Sequence, residues 1–148
     1  MKIVAEVFKL SSGSLIPQFY CHDENGIVVR EVTDTLLDLV AESLPNQLER
    51  LVTIMVSAQQ GRYERTDPLL ADWSVNDKLV WIGPPRVESG FVLISNENIP
   101  DFSMGDGEPQ KFSIEQFMGA VAHWIKFYKM LAEFGKEGFV GKRFEGVI

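Results

Sequence analysis

Apolar residues in the first third of the chain come in short runs divided by turn signals, the pattern of strands. Residues 2–9 are rich in Val, Ile and Phe. Residues 14–20 form a second candidate, in which Pro17 marks an edge or bent strand because proline cannot donate to a ladder. Asp23-Glu24-Asn25-Gly26 is a turn signal between it and Ile27-Val28-Val29-Arg30, so an antiparallel meander is predicted. A helix over about 34–44 follows. Thr33 or Asp34 supplies its cap, and Leu36, Leu37, Leu39, Val40 and Leu44 its apolar face. Pro45 makes continuation unfavourable, since the residue before a proline avoids the α region. Residues 48–57 fit two templates. Leu48, Leu51, Val52 and Met55 form a helical stripe, whereas the β-branched density and short length fit a buried strand, and the reading leans to strand.

Residues 59–78 are polar and turn-rich, broken by Leu69, Leu70 and Trp73. Two strands are then expected at Lys78–Ile82 and Phe91–Ser95, a hairpin across Gly83-Pro84-Pro85 and Ser89-Gly90. An acidic loop spans 96–109. The strongest element is a helix over about 114–134. Ser113 is its N-cap, Gln116 completes a capping box, and Phe112 and Phe117 hold the two places of a hydrophobic staple. Gly135 stands where helices end in a left-handed residue. Glu115, Lys126, Lys129 and Glu133 trace its one plainly polar stripe, so either sheet and tail together enclose it, the preferred reading, or part of it is an interface. The fold class predicted is α+β: a mainly antiparallel sheet packed by one long C-terminal helix and a shorter helix, in one domain over 1–148.

Composition supports a packed core. The chain has 148 residues, 45% of them hydrophobic, and a chain of that size buries about 70% of its unfolded surface. Twenty-one acids against 14 bases give a net charge of −7. That charge disfavours nucleic acid and anionic membrane as partners and steers toward a basic one. Cys21 is the lone cysteine, so no intrachain disulfide forms, which fits a reducing, cytoplasmic setting. Glu6 breaks the first apolar run, leaving no signal-peptide core.

Candidate chemistry is sparse. Cys21-His22-Asp23 holds the residue types of a thiol triad, but neighbours in an extended segment face opposite ways. His123 is the remaining base that the fold could bring to Cys21. Two histidines and one cysteine fall short of a structural zinc site. Asp101, Ser103, Gly105, Asp106 and Glu108 loosely match a calcium loop, yet Asp106 stands where glycine belongs and Phe112 where the bidentate acid belongs. The tail 135–143 fails as a phosphate loop on spacing, and is expected to pack Phe139, Val140 and Phe144 over the helix end. Arg62-Tyr63-Glu64-Arg65 offers Tyr63 and two guanidinium groups to an anionic ligand or acidic partner, but the preferred reading is a solvated strand or loop.

The 96–109 loop is the feature singled out. Glu97, Asp101, Asp106 and Glu108 surround the apolar residues Phe102 and Met104, and no base interrupts them. Acids steer a basic partner in and apolar anchors hold it. With this loop, its length, its charge and its lone cysteine, the chain resembles the small acidic immunity proteins that bacteria encode beside secreted toxins. The resemblance implies tight occlusion of a cognate toxin domain, with no catalytic residues, metal or cofactor required; the loop's own chemistry makes the six residues just named the expected partner-binding set. Two rivals stand beside it. One is an enzyme using carboxylates among Glu64, Asp67, Asp72 and Asp77. The other is a small-molecule or adaptor module lined by Trp73, Trp81 and Trp124.

Overall fold

The computed structural model describes residues 1–63, 65, 67, 69–96 and 110–148. Two antiparallel sheets and three helices make an α+β fold. Strands β1 (Lys2–Lys9) and β2 (Leu15–His22) form a hairpin, and the C-terminal strand β7 (Phe144–Val147) pairs with the other edge of β1. The second sheet runs β3 (Trp73–Val75), β4 (Lys78–Ile82), β5 (Phe91–Asn96) and β6 (Gln110–Ser113) in sequence order. Between the sheets in sequence come α1 (Arg30–Leu36), a π-helical turn (Leu37–Ala41) and α2 (Pro45–Gln59). The long helix α3 (Ile114–Phe134) leads directly from β6.

Alternation decides what each sheet buries. Directly opposed residues share a face, so Cys21, Ile3 and Gly146 form one inward row and Phe19, Ala5 and Phe144 the next. Helix α3 lies on these rows: Trp124 meets Phe19 edge-on at 5.3 Å between ring centroids, and Phe144 stacks on Phe127. On the second sheet Val80, Ile82, Val92, Ile94 and Phe112 are buried. One cluster of buried side chains takes in both sheets and all three helices.

The start of α3 follows the expected signals. Ser113 Oγ accepts the Gln116 N–H at 3.1 Å while Gln116 Oε1 accepts the Ser113 N–H at 3.0 Å. Phe112 and Phe117 pack with centroids 6.4 Å apart, and Gly135 closes the helix at φ 79°. Pairing of β4 with β5 also matches the expected hairpin.

Four expectations are corrected. Residues 48–57 are helical, not a strand. Leu48, Leu51, Ile54, Met55 and Ala58 are buried at helical spacing, and the β-branched Thr53 and Val56 fall on exposed positions. Pro45 starts this helix, because the first turn needs no proline N–H, and Gln47 Oε1 accepts the Leu44 N–H at 2.8 Å. The preceding helix starts at Arg30, before the expected Thr33 or Asp34. Thr33 is buried, and its hydroxyl accepts the Cys21 N–H at 3.0 Å instead of capping. The segment 27–30 supplies no third strand: only Val28 bridges His22 before α1 begins. The third strand is the tail, expected only to pack over the helix end. Phe139 and Phe144 do pack against Phe127, but Val140 stays exposed at 39% and bridges Val7.

Candidate functional site

The thiol and imidazole groups are positioned by the inner face of the first sheet, and that placement keeps them apart. Cys21, Ile3 and Gly146 lie in one row, with the β1 residue between. His123 reaches down from α3 onto Gly146 and stacks on Phe144 with centroids 4.7 Å apart. Its Nε2 hydrogen-bonds the Phe144 carbonyl at 3.0 Å; since a carbonyl only accepts, Nε2 carries the proton. Ile3 therefore stands between this imidazole and Cys21. The Cys21 thiol is fully buried, and burial pushes its pKa up to about 11 against a weaker opposing pull from the Thr33 hydroxyl. A thiol so placed is a poor nucleophile at neutral pH. Burial, with Lys126 nearby, lowers the His123 pKa below its ordinary value, partly offset by the Phe144 hydrogen bond.

Asp23 serves its turn. Its Oδ1 accepts the N–H groups of Asn25 and Ile27, each at 2.8 Å, and these bonds, Ile27's first, hold its carboxyl below the usual range. Among the described residues no three His, Cys, Asp or Glu side chains gather to hold a metal ion.

The four carboxylates considered for acid–base work divide as follows. Glu64 lies outside the described residues. Asp67 Oδ1 accepts the Leu69 N–H at 2.9 Å in a local turn. Asp77 sits 3.3 Å from Lys78. Asp72 is tied at 2.8 Å to Arg65, which is buried by this pairing and not solvated as its sequence suggests, and accepts the Ile82 N–H at 2.6 Å. Arg65 in turn donates to the carbonyls of Gly83 and Pro84, so this pair clamps the segment before β3 onto the end of β4. The tryptophans do not converge on one pocket. Trp124 is on the buried face of α3, Trp73 is opposite the inward Val80, and Trp81 points to the other face of that sheet. The Arg86 guanidinium lies 5.7 Å from the Trp81 ring centroid.

The six partner-binding residues predicted from the acidic loop, Glu97, Asp101, Phe102, Met104, Asp106 and Glu108, all lie outside the described residues, as does the proposed calcium-loop match. A second acidic surface, missed in the sequence, lies within them. Residues 23–42 hold six acids and one base, a net −5. Four of those acids, Glu31, Asp34, Asp38 and Glu42, are exposed along α1 and its π-helical turn. Their spacing of three, four and four residues keeps them on one side, opposite the buried Val32, Leu36, Leu39 and Val40. Like charges so spaced weaken a helix by about 0.2–0.5 kcal/mol per pair. Two features reduce that cost: Glu31 sits in the favourable first turn, and Lys78 approaches Asp38 at 3.4 Å. Ile27 and Val28 precede the stripe and Leu44 follows it, exposed at 64%, 45% and 59%.

With the 96–109 loop at −4, these two segments carry −9, leaving the rest of the chain at +2. The negative charge is thus concentrated, not spread as a general solubilising coat. Comparison of the chain with protein-family models, with curated proteins and with solved structures gives no match.

Proposed function

We propose that this chain is a binding protein that neutralises a cognate bacterial toxin by tight occlusion, in the manner of an immunity protein. The observation that carries the reading is the acidic face of α1 with apolar side chains at both its ends. Such a face attracts a basic domain over a Debye length of about 8 Å or more and then offers Ile27, Val28 and Leu44 for desolvated contact. The acidic loop repeats the same chemistry through Glu97, Asp101, Asp106 and Glu108 around Phe102 and Met104, and belongs to the proposed interface. A basic nuclease or another toxin domain with a cationic active-site cleft fits this surface, because the same acids that steer it also fill the place of its anionic substrate.

Occlusion asks for a rigid, pre-formed surface more than for reactive groups. The buried face of α1 meets this need: Thr33 is hydrogen-bonded to β2, and Ser43 Oγ donates to the Leu39 carbonyl at 2.6 Å. Little ordering entropy then remains to be lost on binding. The test is co-expression with the toxin gene neighbouring its own. The intact chain should restore growth. Glu31→Gln, Asp34→Asn, Asp38→Asn and Glu42→Gln combined should lower the level of toxin tolerated. Failure of the intact chain to protect against any neighbouring toxin would refute the reading.

A further inference from the structure

An apolar groove between α2 and α3 has a volume of about 480 Å³. Val52, Ile125 and Met130 are part of its floor. Its rim carries two acids, Glu49 and Glu133, and two lysines, Lys126 and Lys129. In a chain of net charge −7 this face is formally neutral. We propose that the groove is the face through which two copies of the chain meet.

Charge complementarity favours a second copy as the occupant. Two bodies of the same net charge repel, so they associate best through a face that is locally neutral and pairs with itself. Of the four rim charges, Lys129 and Glu49 are joined within the chain at 2.8 Å. Lys126 and Glu133 have no ion-pair partner among the described residues; the Lys126 ammonium rests over the Phe144 ring at 5.4 Å. These two unpaired charges sit at equal distances on either side of the midpoint between Lys129 and Met130. A two-fold axis through that midpoint sets α3 antiparallel to α3 of the second copy. Lys126 of each copy then faces Glu133 of the other, and each α3 ridge enters the other copy's groove. A partner of strongly basic or acidic character gains nothing from this mixed rim.

Size sets the expected strength. Helices of 15 and 21 residues overlap over about 22 Å at 1.5 Å per residue, and two helices side by side are about 20 Å across. Two such faces bury about 900 Å² together, below the roughly 1,200 Å² of stable interfaces and in the range of weak, transient ones. The association is therefore weak and depends on concentration.

Sedimentation velocity on the full chain over a concentration series tests this. The wild type should show a monomer–dimer equilibrium with a midpoint of roughly 10–100 µM. Lys126→Glu should weaken it by at least about tenfold, since it places acid against acid at both symmetry-related pairs. Adding Glu133→Lys to Lys126→Glu should restore association to within about threefold of wild type. Both positions are exposed, and circular dichroism confirms folding; should Lys126→Glu unfold, Glu133→Lys alone poses the same question. A wild type that stays monomeric to about 1 mM would overturn the proposal. So would a dimer whose midpoint neither Lys126→Glu nor Val52→Glu moves, or a charge swap that fails to restore association.

Discussion

The imidazole of His123 fills the space that a Cβ on Gly146 would occupy, with Nδ1 2.6 Å from that position. A glycine is thus built into β7 to let α3 lie close over the first sheet. Gly146→Ala should cost about 1–3 kcal/mol, the range for overpacking. His123→Ala in the same chain should recover part of that loss, because the clash is between these two groups. Urea melts of the two single variants and the double variant measure the coupling. Additive losses would show that strand propensity, not this contact, sets the requirement for glycine.

The same imidazole predicts a pH dependence. Burial first, and Lys126 second, hold its pKa below 6.5 in the folded chain, against the pull of the Phe144 carbonyl. The unfolded chain then binds the extra proton more readily than the folded one. Stability from this group is complete above about pH 6.5 and is lost as pH falls below it toward the lowered folded value. Thermal melts between pH 7.5 and pH 5, expected values on the order of the imidazole range, should fall less steeply for His123→Gln than for wild type. Equal slopes would assign the loss to other groups.

Arg65 and Asp72 form a buried ion pair, their side chains 3% and 6% exposed. Among the described residues the buried Arg65 Nε has no hydrogen-bond partner. Asp72→Ala leaves the guanidinium without its counter-charge and should cost about 3–5 kcal/mol. Arg65→Met with Asp72→Leu should cost well under the sum of the two single losses, as apolar replacements remove the stranded charge. Denaturant titration of the three variants reads both values.

Trp124 is 2% exposed and packs against Phe19, Phe127 and Tyr128 at centroid distances of 5.3, 5.8 and 6.3 Å. Trp124→Ala should cost about 3–5 kcal/mol through the cavity it leaves. A denaturant melt showing a loss below about 1 kcal/mol would contradict the packing of α3 on the first sheet.

Local signals in this sequence were legible and non-local ones were not. Ser113, Gln116 and Gly135 specify the ends of α3 because a helix terminus is satisfied by residues within one turn of it. Strand β7 is hard to see in the sequence because one of its two inward positions is Gly146, beside Phe144, while Val147 faces out at 78% exposure; the usual apolar alternation is inverted at Gly146-Val147 by the contact with His123. The helix at 45–59 is ambiguous in sequence because Val52, Thr53 and Val56 favour strand locally, and burial of Leu48, Leu51 and Met55 overrides that preference. The acidic face of α1 was obscured for a related reason. Placing the helix start at Thr33 or Asp34 left Glu31 outside it, whereas the spacing of Glu31, Asp34, Asp38 and Glu42 reads as one stripe once the helix begins at Arg30.

In the proposed function, concentrated acidic charge captures a basic toxin domain. Surface plasmon resonance with the neighbouring locus's toxin domain, over a salt series, tests it most directly. Neutralising Glu31, Asp34, Asp38 and Glu42 together should slow association about tenfold or more at low salt and flatten its salt dependence, with dissociation little changed. Neutralising Glu97, Asp101, Asp106 and Glu108 should act the same way, whereas Phe102→Ala or Met104→Ala should speed dissociation and cost about 2 kcal/mol or more. Association rates that stay at the wild-type value in both neutralised variants, at every salt concentration, would contradict the claim.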